Sequence, residues 1–430
     1  MPRHDTDDDC LTTGRDPVTR PTTIASAVAA LALLSAPLAA QELRFTVWTG
    51  NDAHLEMLNG IAASFAEKRP GVTVNYETIP AGEYVQKLTF QLAGGNPPDL
   101  GWMFEDAMPT FVGAGAVREL TPALESAEGY DLADFSEPAM GLWKKDDAIY
   151  GVPFSTSPFM IYYNKDMFDA AGLEDPLTLA GRGEWDMDKF REVAKALSEA
   201  NDAYGFEFKD GQGYDTRIMH ALMPPIRAFG GFAWRDGECG FNKPEAVAAI
   251  TMLHEMVFED GSIVPPGEQG DYFSGGSAMT INQISRASKM PEAGFNWGIA
   301  PLPTGPAGAS PIIGQAGLVV FSESEYPELA AEFIAHMTKK ENVAVMAQFF
   351  PPARKSVLES DAFTDANALI PAEQMQNVSA AITEGTVLPS HERSPQINAA
   401  MKPRVDALWR AEADVQASLD AVCEAIQGDL

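Results

Sequence analysis

Residues 151–172, "GVPFSTSPFMIYYNKDMFDAAG", combine jobs that one element rarely combines. Gly151-Val152-Pro153 reads as a bend, and Ser155, Thr156 and Ser157 set three hydroxyls among apolar residues. "FMIYY" (159–163) then reads as a buried strand. Asn164 fits the cap of a short helix that Gly172 ends. A plain core strand needs no such hydroxyl cluster. A segment that leaves one core, bends, and enters a second core past a ligand does need it.

The residues before this stretch alternate between two periods. "LRFTVW" (43–48) alternates as a strand, and from Asn51 the residues Leu55, Leu58, Ile61, Ala62 and Phe65 recur at helical spacing. Arg69-Pro70-Gly71 stops that helix, "VTVNYETI" (72–79) is a second strand, and "EYVQKLTFQLAGG" (83–95) a second helix. "NPPDLGWM" (96–103) turns into a third strand. Strand, helix, strand, helix, strand predicts a doubly wound α/β lobe whose ligand crevice lies beyond the strands' carboxyl ends. Trp48 to Asp52 and Phe104 to Asp106 fall at that mouth.

Further on, residues 185–200 and 242–261 read as amphipathic helices, the second capped by Asn242. "FNWGIAPLP" (295–303) and "IIGQAGLVVF" (312–321) read as strands, and the region from about Ala366 is mostly helical. A chain of 430 residues exceeds one core and predicts two lobes. The net charge of −31 argues against a nucleic-acid or anionic-membrane partner, because like charges repel.

The order at residues 15–40 is that of a secretory signal peptide: Arg15 and Arg20, an apolar run from Ile24 to Leu34, then small residues to Ala40. Cleavage is expected after Ala40. No Cys follows the cut, so the reading carries no lipid anchor. Of three Cys, Cys10 leaves with the leader, and Cys239 and Cys423 remain as either a disulfide or two buried thiols, export favouring the disulfide.

No H-E-x-x-H, Walker A loop, G-x-G-x-x-G after a strand or G-x-S-x-G frame is present, and no cofactor is implied. Tryptophans spread among polar neighbours suit sugars, whose C–H faces stack on rings. Trp102 and Trp185 read as core, and Trp48 and Trp234 as ligand platforms.

Several segments together resemble the carbohydrate-binding proteins of ABC importers, the extracellular solute-binding family that includes maltose-binding protein. They are "GGNPPDL" (94–100), "YGVPFSTSPFMIYYNKDMFDAAGL" (150–173), "EWDMDKF" (184–190), "AFGG" (228–231), "FSGGSAMTIN" (273–282) and "NWGIAPLPTG" (296–305). The resemblance implies a two-lobe periplasmic-binding-protein fold with the ligand in the cleft between lobes. By analogy the first lobe is 41–154 with 318–360, and the second 157–315 with 361–430, which puts Cys239 and Cys423 in one lobe. It further implies a monomer that captures a carbohydrate in the periplasm by hinge closure and delivers it to an ABC permease, without chemistry on the ligand. Carried onto this sequence, the ligand-binding positions are Trp48, Asn51, Asp106, Ser155, Ser157, Trp234, Asn282 and Gln315, with Arg354 bordering the cleft. One departure stands out: where sugar binders of this family often carry a Trp after the "AMTIN" segment, this chain has "NQISRASKM", with Ser285 and Arg286. Fewer rings and more cations point to a sugar acid, sulfonated sugar or glycerol phosphate as the alternative to a neutral oligosaccharide.

Overall fold

A computed structural model describes residues 41–208, 218–268 and 270–430; the leader reading therefore lies outside the described residues. Strands β1 (Gln41–Val47), β2 (Val72–Thr78) and β3 (Leu100–Phe104) alternate with helices α1 (Asp52–Lys68) and α2 (Tyr84–Ala93). β1 pairs in parallel with both β2 and β3, which gives the order 2-1-3 of a doubly wound unit. Asn51 caps α1, its Oδ1 accepting from the N–H groups of Ala53 and His54, and Met57, Leu58, Ile61 and Phe65 face inward.

The buried carboxylate of Asp99, from the Pro-Pro-Asp turn before β3, fastens this unit. One oxygen accepts from Arg44 N (2.9 Å), the other from Ser324 Oγ (2.6 Å), Glu325 N (3.0 Å) and Tyr326 N (3.1 Å). It thus ties β1 to the start of α6, defined below.

Strand β4 (Val152–Asn164) is the opening stretch, and all 13 residues are buried. α3 (Met187–Ala200), α4 (Ile218–Ala228) and α5 (Pro244–Phe258) follow, then β5 (Met279–Gln283), a 3₁₀ helix (Ile284–Glu292), β6 (Trp297–Ala300) and β7 (Ile312–Val320). α6 (Pro327–Met337), α7 (Ala372–Glu384), β8 (Thr386–Val387), α8 (Ser394–Leu408) and α9 (Val415–Ile426) complete the chain. The start of α5 differs from the expectation. Pro244 occupies the first turn, which makes Lys243 the capping residue, and the Asn242 amide instead donates to Asp420 Oδ1 (2.9 Å).

The sheet runs β6–β4–β7–β3–β1–β2, with β5 also on β4 and β8 on β7. The first half of β4 pairs antiparallel with β7, and its second half with β5 and β6. β7 in turn pairs antiparallel with β3. Two strands therefore carry the chain between two cores. Phe159, Ile161 and Tyr163 enter one apolar cluster, with α3, α5 and α9, whereas Met160 and Tyr162 enter the cluster that holds β1–β3. That split is the period of two expected of a strand covered on both faces.

Both crossing strands carry a glycine under the same ring. A Cβ on Gly317 would stand 2.4 to 2.7 Å from three carbons of the Trp143 indole, and one on Gly151 would stand 2.8 Å from it. The backbone must pass that close, so neither position tolerates a side chain. Cys239, in a short ribbon formed by Trp234–Arg235 and Glu238–Cys239, is disulfide-bonded to Cys423 on α9.

Candidate functional site

At the carboxyl ends of β1 and β3, where β4 and β7 cross, lies a cleft of about 310 Å³. One wall is aromatic. Trp48 stacks on Phe104, with ring centroids 4.0 Å apart and planes 14° off parallel, and meets Trp102 edge-on at 4.9 Å. Trp102 is 1 % exposed, lines the cleft, and its indole N–H has no acceptor among the described residues. A buried donor left in that condition costs about 1–3 kcal/mol, which an arriving ligand oxygen recovers.

The floor comes from the crossing strands: Ser155 and Ser157 of β4, with Gly314, Gln315 and Ala316 of β7. Gln315 is buried and fully engaged. Its N–H donates to Glu105 Oε2 (2.9 Å), its side-chain amide donates to Ala139 O (2.9 Å), and its Oε1 accepts from Trp143 Nε1 (3.2 Å). The other oxygen of Glu105 lies 3.4 Å from His220 Nε2 on α4. His54, at the start of α1, also lines the cleft, held between Phe349 and Phe350 with Nδ1 at 2.9 Å from Thr49 Oγ1. Burial lowers its pKa to about 4, so the ring is neutral near pH 7.

The facing wall is the 3₁₀ helix, from which Ser285, Arg286, Ser288 and Lys289 line the cleft next to Gln283. Ser285 N donates to Ser157 Oγ (3.4 Å), docking this helix on the crossing strand. A larger depression of about 800 Å³ lies elsewhere, between α1, the helix at Thr121–Ser126 and α6. Its charges pair with one another, Arg69 with Glu332 and Arg118 with Glu328, and it is remote from the strand ends.

Of the residues expected at the site, the structure brings Trp48, Ser155, Ser157 and Gln315 together in the cleft. Five others stand outside its lining. Asn51 is exposed, and its oxygen serves as the α1 cap. Asp106 is exposed in the turn after β3, while its neighbour Glu105 is the carboxylate that faces the cleft. Asn282 is buried on β5 and donates to Thr280 Oγ1 (3.3 Å), and the next residue, Gln283, faces the cleft. Trp234 sits in the disulfide-bearing ribbon, edge-on to His391. Arg354 is 2 % exposed between the rings of Tyr130 and Phe135; it donates to Thr338 O (2.6 Å), Asp131 O (2.8 Å) and Asp134 Oδ2 (3.1 Å). It pins loops of the first core.

Four cleft residues were not singled out from the sequence as ligand-facing: Trp102, Glu105, His54 and Lys289. Trp102 was legible in part, since strand alternation places it on the face of β3 that carries Phe104.

The model of the bacterial extracellular solute-binding proteins matches residues 60–372 of this chain. The chain belongs to that family. A periplasmic sn-glycerol-3-phosphate-binding protein of Escherichia coli is 27% identical over 434 residues, which cover 93% of this chain and 95% of the relative. Among solved structures, an ABC substrate-binding protein of Listeria monocytogenes in complex with cycloalternan superposes with a TM-score of 0.78 at 22% identity, over 90% of this chain and 98% of its own. A glycerophosphocholine complex from Mycobacterium tuberculosis gives the same TM-score at 21% identity, again over 90% of this chain and 98% of the neighbour. This solute-binding protein thus has the two-lobe fold of the family, with β4 and β7 as the crossings and the cleft where they cross.

Proposed function

We propose that the protein captures a small hydroxyl-rich solute of the carbohydrate class outside the cytoplasmic membrane and hands it to the permease of an ABC importer. The observation that carries this reading is the buried Trp102 N–H, unpartnered among the described residues, in an aromatic wall that faces a hydroxyl-bearing floor. Stacked rings take the C–H face of a polyol, and Ser155, Ser157 and Trp102 supply hydrogen-bonding groups for its hydroxyls. Relatives named for glycerol phosphate and neighbours holding oligosaccharides support the same class. Closure of residues 41–154 with 318–360 against 157–315 with 361–430, about β4 and β7, would present one liganded surface to the permease. In this reading the chain works as a monomer, carries no lipid anchor, is released after Ala40, and does no chemistry on the solute.

A thermal-shift panel of polyols, sugars and their phosphates tests it, since a ligand at a hundred times its Kd stabilises by about 2.7 kcal/mol. Small-angle scattering should show a smaller radius of gyration with the bound solute. Trp48→Ala is expected to weaken binding roughly tenfold by removing the stacking face. Absence of any melting shift across the panel would overturn the proposal, as would turnover of a glycoside by the purified chain.

A further inference from the structure

The 3₁₀ helix on the cleft's second wall is unusually long at nine residues, where such runs normally stop at three or four. At three residues per turn, side chains three apart eclipse one another and form straight columns. The first column, Ile284, Ala287 and Met290, is buried and anchors the helix. The second places Ser285 over Ser288, and the third places Arg286 over Lys289; all four line the cleft. An α-helix would fan these residues over a wider arc. The 3₁₀ winding instead sets a hydroxyl column beside a cation column, both facing the Trp48–Phe104 wall.

Charge makes this wall stand out. The chain has 61 acidic residues against 30 basic ones, yet the cleft lining holds two cations and one carboxylate. That carboxylate, Glu105, is buried against Gln315 N and His220. The imidazole of His54 adds no charge near pH 7. Lys289 already rests its ammonium over the Phe273 ring, 4.9 Å from the centroid. Closing the lobes on a neutral sugar would take both cations out of water with no counter-charge from the ligand, which is strongly unfavourable. An oxyanion on the ligand removes that cost: Arg binds phosphate oxygens in a fork, Lys adds a point charge, and the serine hydroxyls donate to the remaining oxygens.

Resting on the solute-capture reading above, we infer that the ligand is a small polyol or sugar carrying a phosphate group, with the phosphate held by the Ser285/Ser288 and Arg286/Lys289 columns and the hydroxylated end on the aromatic wall. The two ends engage opposite walls, so a ligand with both parts draws the walls together better than either part alone.

Calorimetric titration of the purified mature chain tests this with sn-glycerol-3-phosphate, glucose 6-phosphate, inorganic phosphate, glycerol and maltose as probes. The expected result is binding of a phosphorylated polyol or sugar at least tenfold tighter than its neutral counterpart and than inorganic phosphate, weakening as salt rises. Arg286→Gln combined with Lys289→Gln is expected to cost roughly 100-fold in that affinity, two charge-assisted contacts at about tenfold each. Both side chains lie outside the buried column, so circular dichroism and melting of the variant should match the parent. Tight binding of maltose equal to or above every phosphorylated probe overturns the inference and leaves solute capture standing. So does unchanged affinity of the double variant. Inorganic phosphate binding as tightly as the phosphorylated polyols overturns the two-ended ligand. If no hydroxylated probe of either class binds, solute capture falls and the inference falls with it.

Discussion

Gly317→Ala probes how closely the two crossing strands are packed. The new Cβ would stand 2.4, 2.6 and 2.7 Å from Cζ3, Cη2 and Cε3 of Trp143. Ordinary carbon contacts begin near 3.5 Å, so the indole must retreat by about 1 Å. It has nowhere to go: Trp143 is fully buried, and its Nε1 donates to Gln315 Oε1 at 3.2 Å. Overpacking of this kind costs about 1–3 kcal/mol. Its displacement also pulls on Gln315, which holds Glu105 and the cleft floor. The assay is urea unfolding followed by tryptophan fluorescence, with the expected result a lower midpoint at unchanged slope. Trp143→Phe in the same chain should recover part of the loss, giving a coupling energy of about 1 kcal/mol or more. Gly60→Ala is the contrasting control, since it lies in helix α1 with nothing within 4 Å of the new methyl, and should stabilise by about 0.5–1 kcal/mol. A Gly317→Ala chain that melts at or above the parent, or shows no coupling to Trp143, would refute the packing argument.

Replacing Cys239 and Cys423 by Ser opens a loop closed across a sequence separation of 184 and should cost about 5 kcal/mol in the chain-entropy model, read as a loss of melting temperature that reductant reproduces in the parent. Arg354→Met should cost about 3–5 kcal/mol by stranding Asp134, while leaving solute affinity intact because Arg354 stands outside the cleft lining. Burial alone would raise the Asp134 pKa, but hydrogen bonds from Ser356 and Arg354 hold it below the usual carboxylate value. Its folded-state pKa is thus depressed, so the contribution is present above about pH 4 and is lost as pH falls through the folded value; acid melts of the Arg354 variant should show a shallower loss. For His54, folded near 4 against 6.5 unfolded, the unfolded chain takes up the proton first. Stability should fall as pH drops from about 6.5 towards 4, and His54→Gln should flatten that limb of a pH–melting curve.

Much of the architecture was legible in the residues. Alternating periods gave the strands and helices around β1–β3, and the bend, hydroxyls and apolar run of 151–172 marked a crossing strand before any coordinate was known. Asn164 and Gly172 frame their helix as their chemistry requires, with the glycine at φ 68°. The site was legible only where backbone position decides it, as at Ser155, Ser157 and Gln315 on the crossings. Asp106 and Glu105 differ by one residue, and a strand end turns that single step from cleft to solvent. Arg354 looks like a ligand cation in sequence, because nothing local reveals the distant Tyr130, Asp131, Asp134 and Thr338 that absorb it. The 3₁₀ columns escaped for a related reason, since their periodicity of three is masked by a run short enough to read as loop.

The crossings are hydrogen-bonded strands, and this has a practical consequence. β4 surrenders a ladder donor at Pro158, and β7 shifts register between Ala316 and Gly317. Bending between the lobes therefore concentrates at two neighbouring points, which together define a single axis. A dye pair attached to opposite lobes would move along one coordinate, so occupancy would be read as a two-level optical signal, and the chain offers a scaffold for a reagentless biosensor of its own solute.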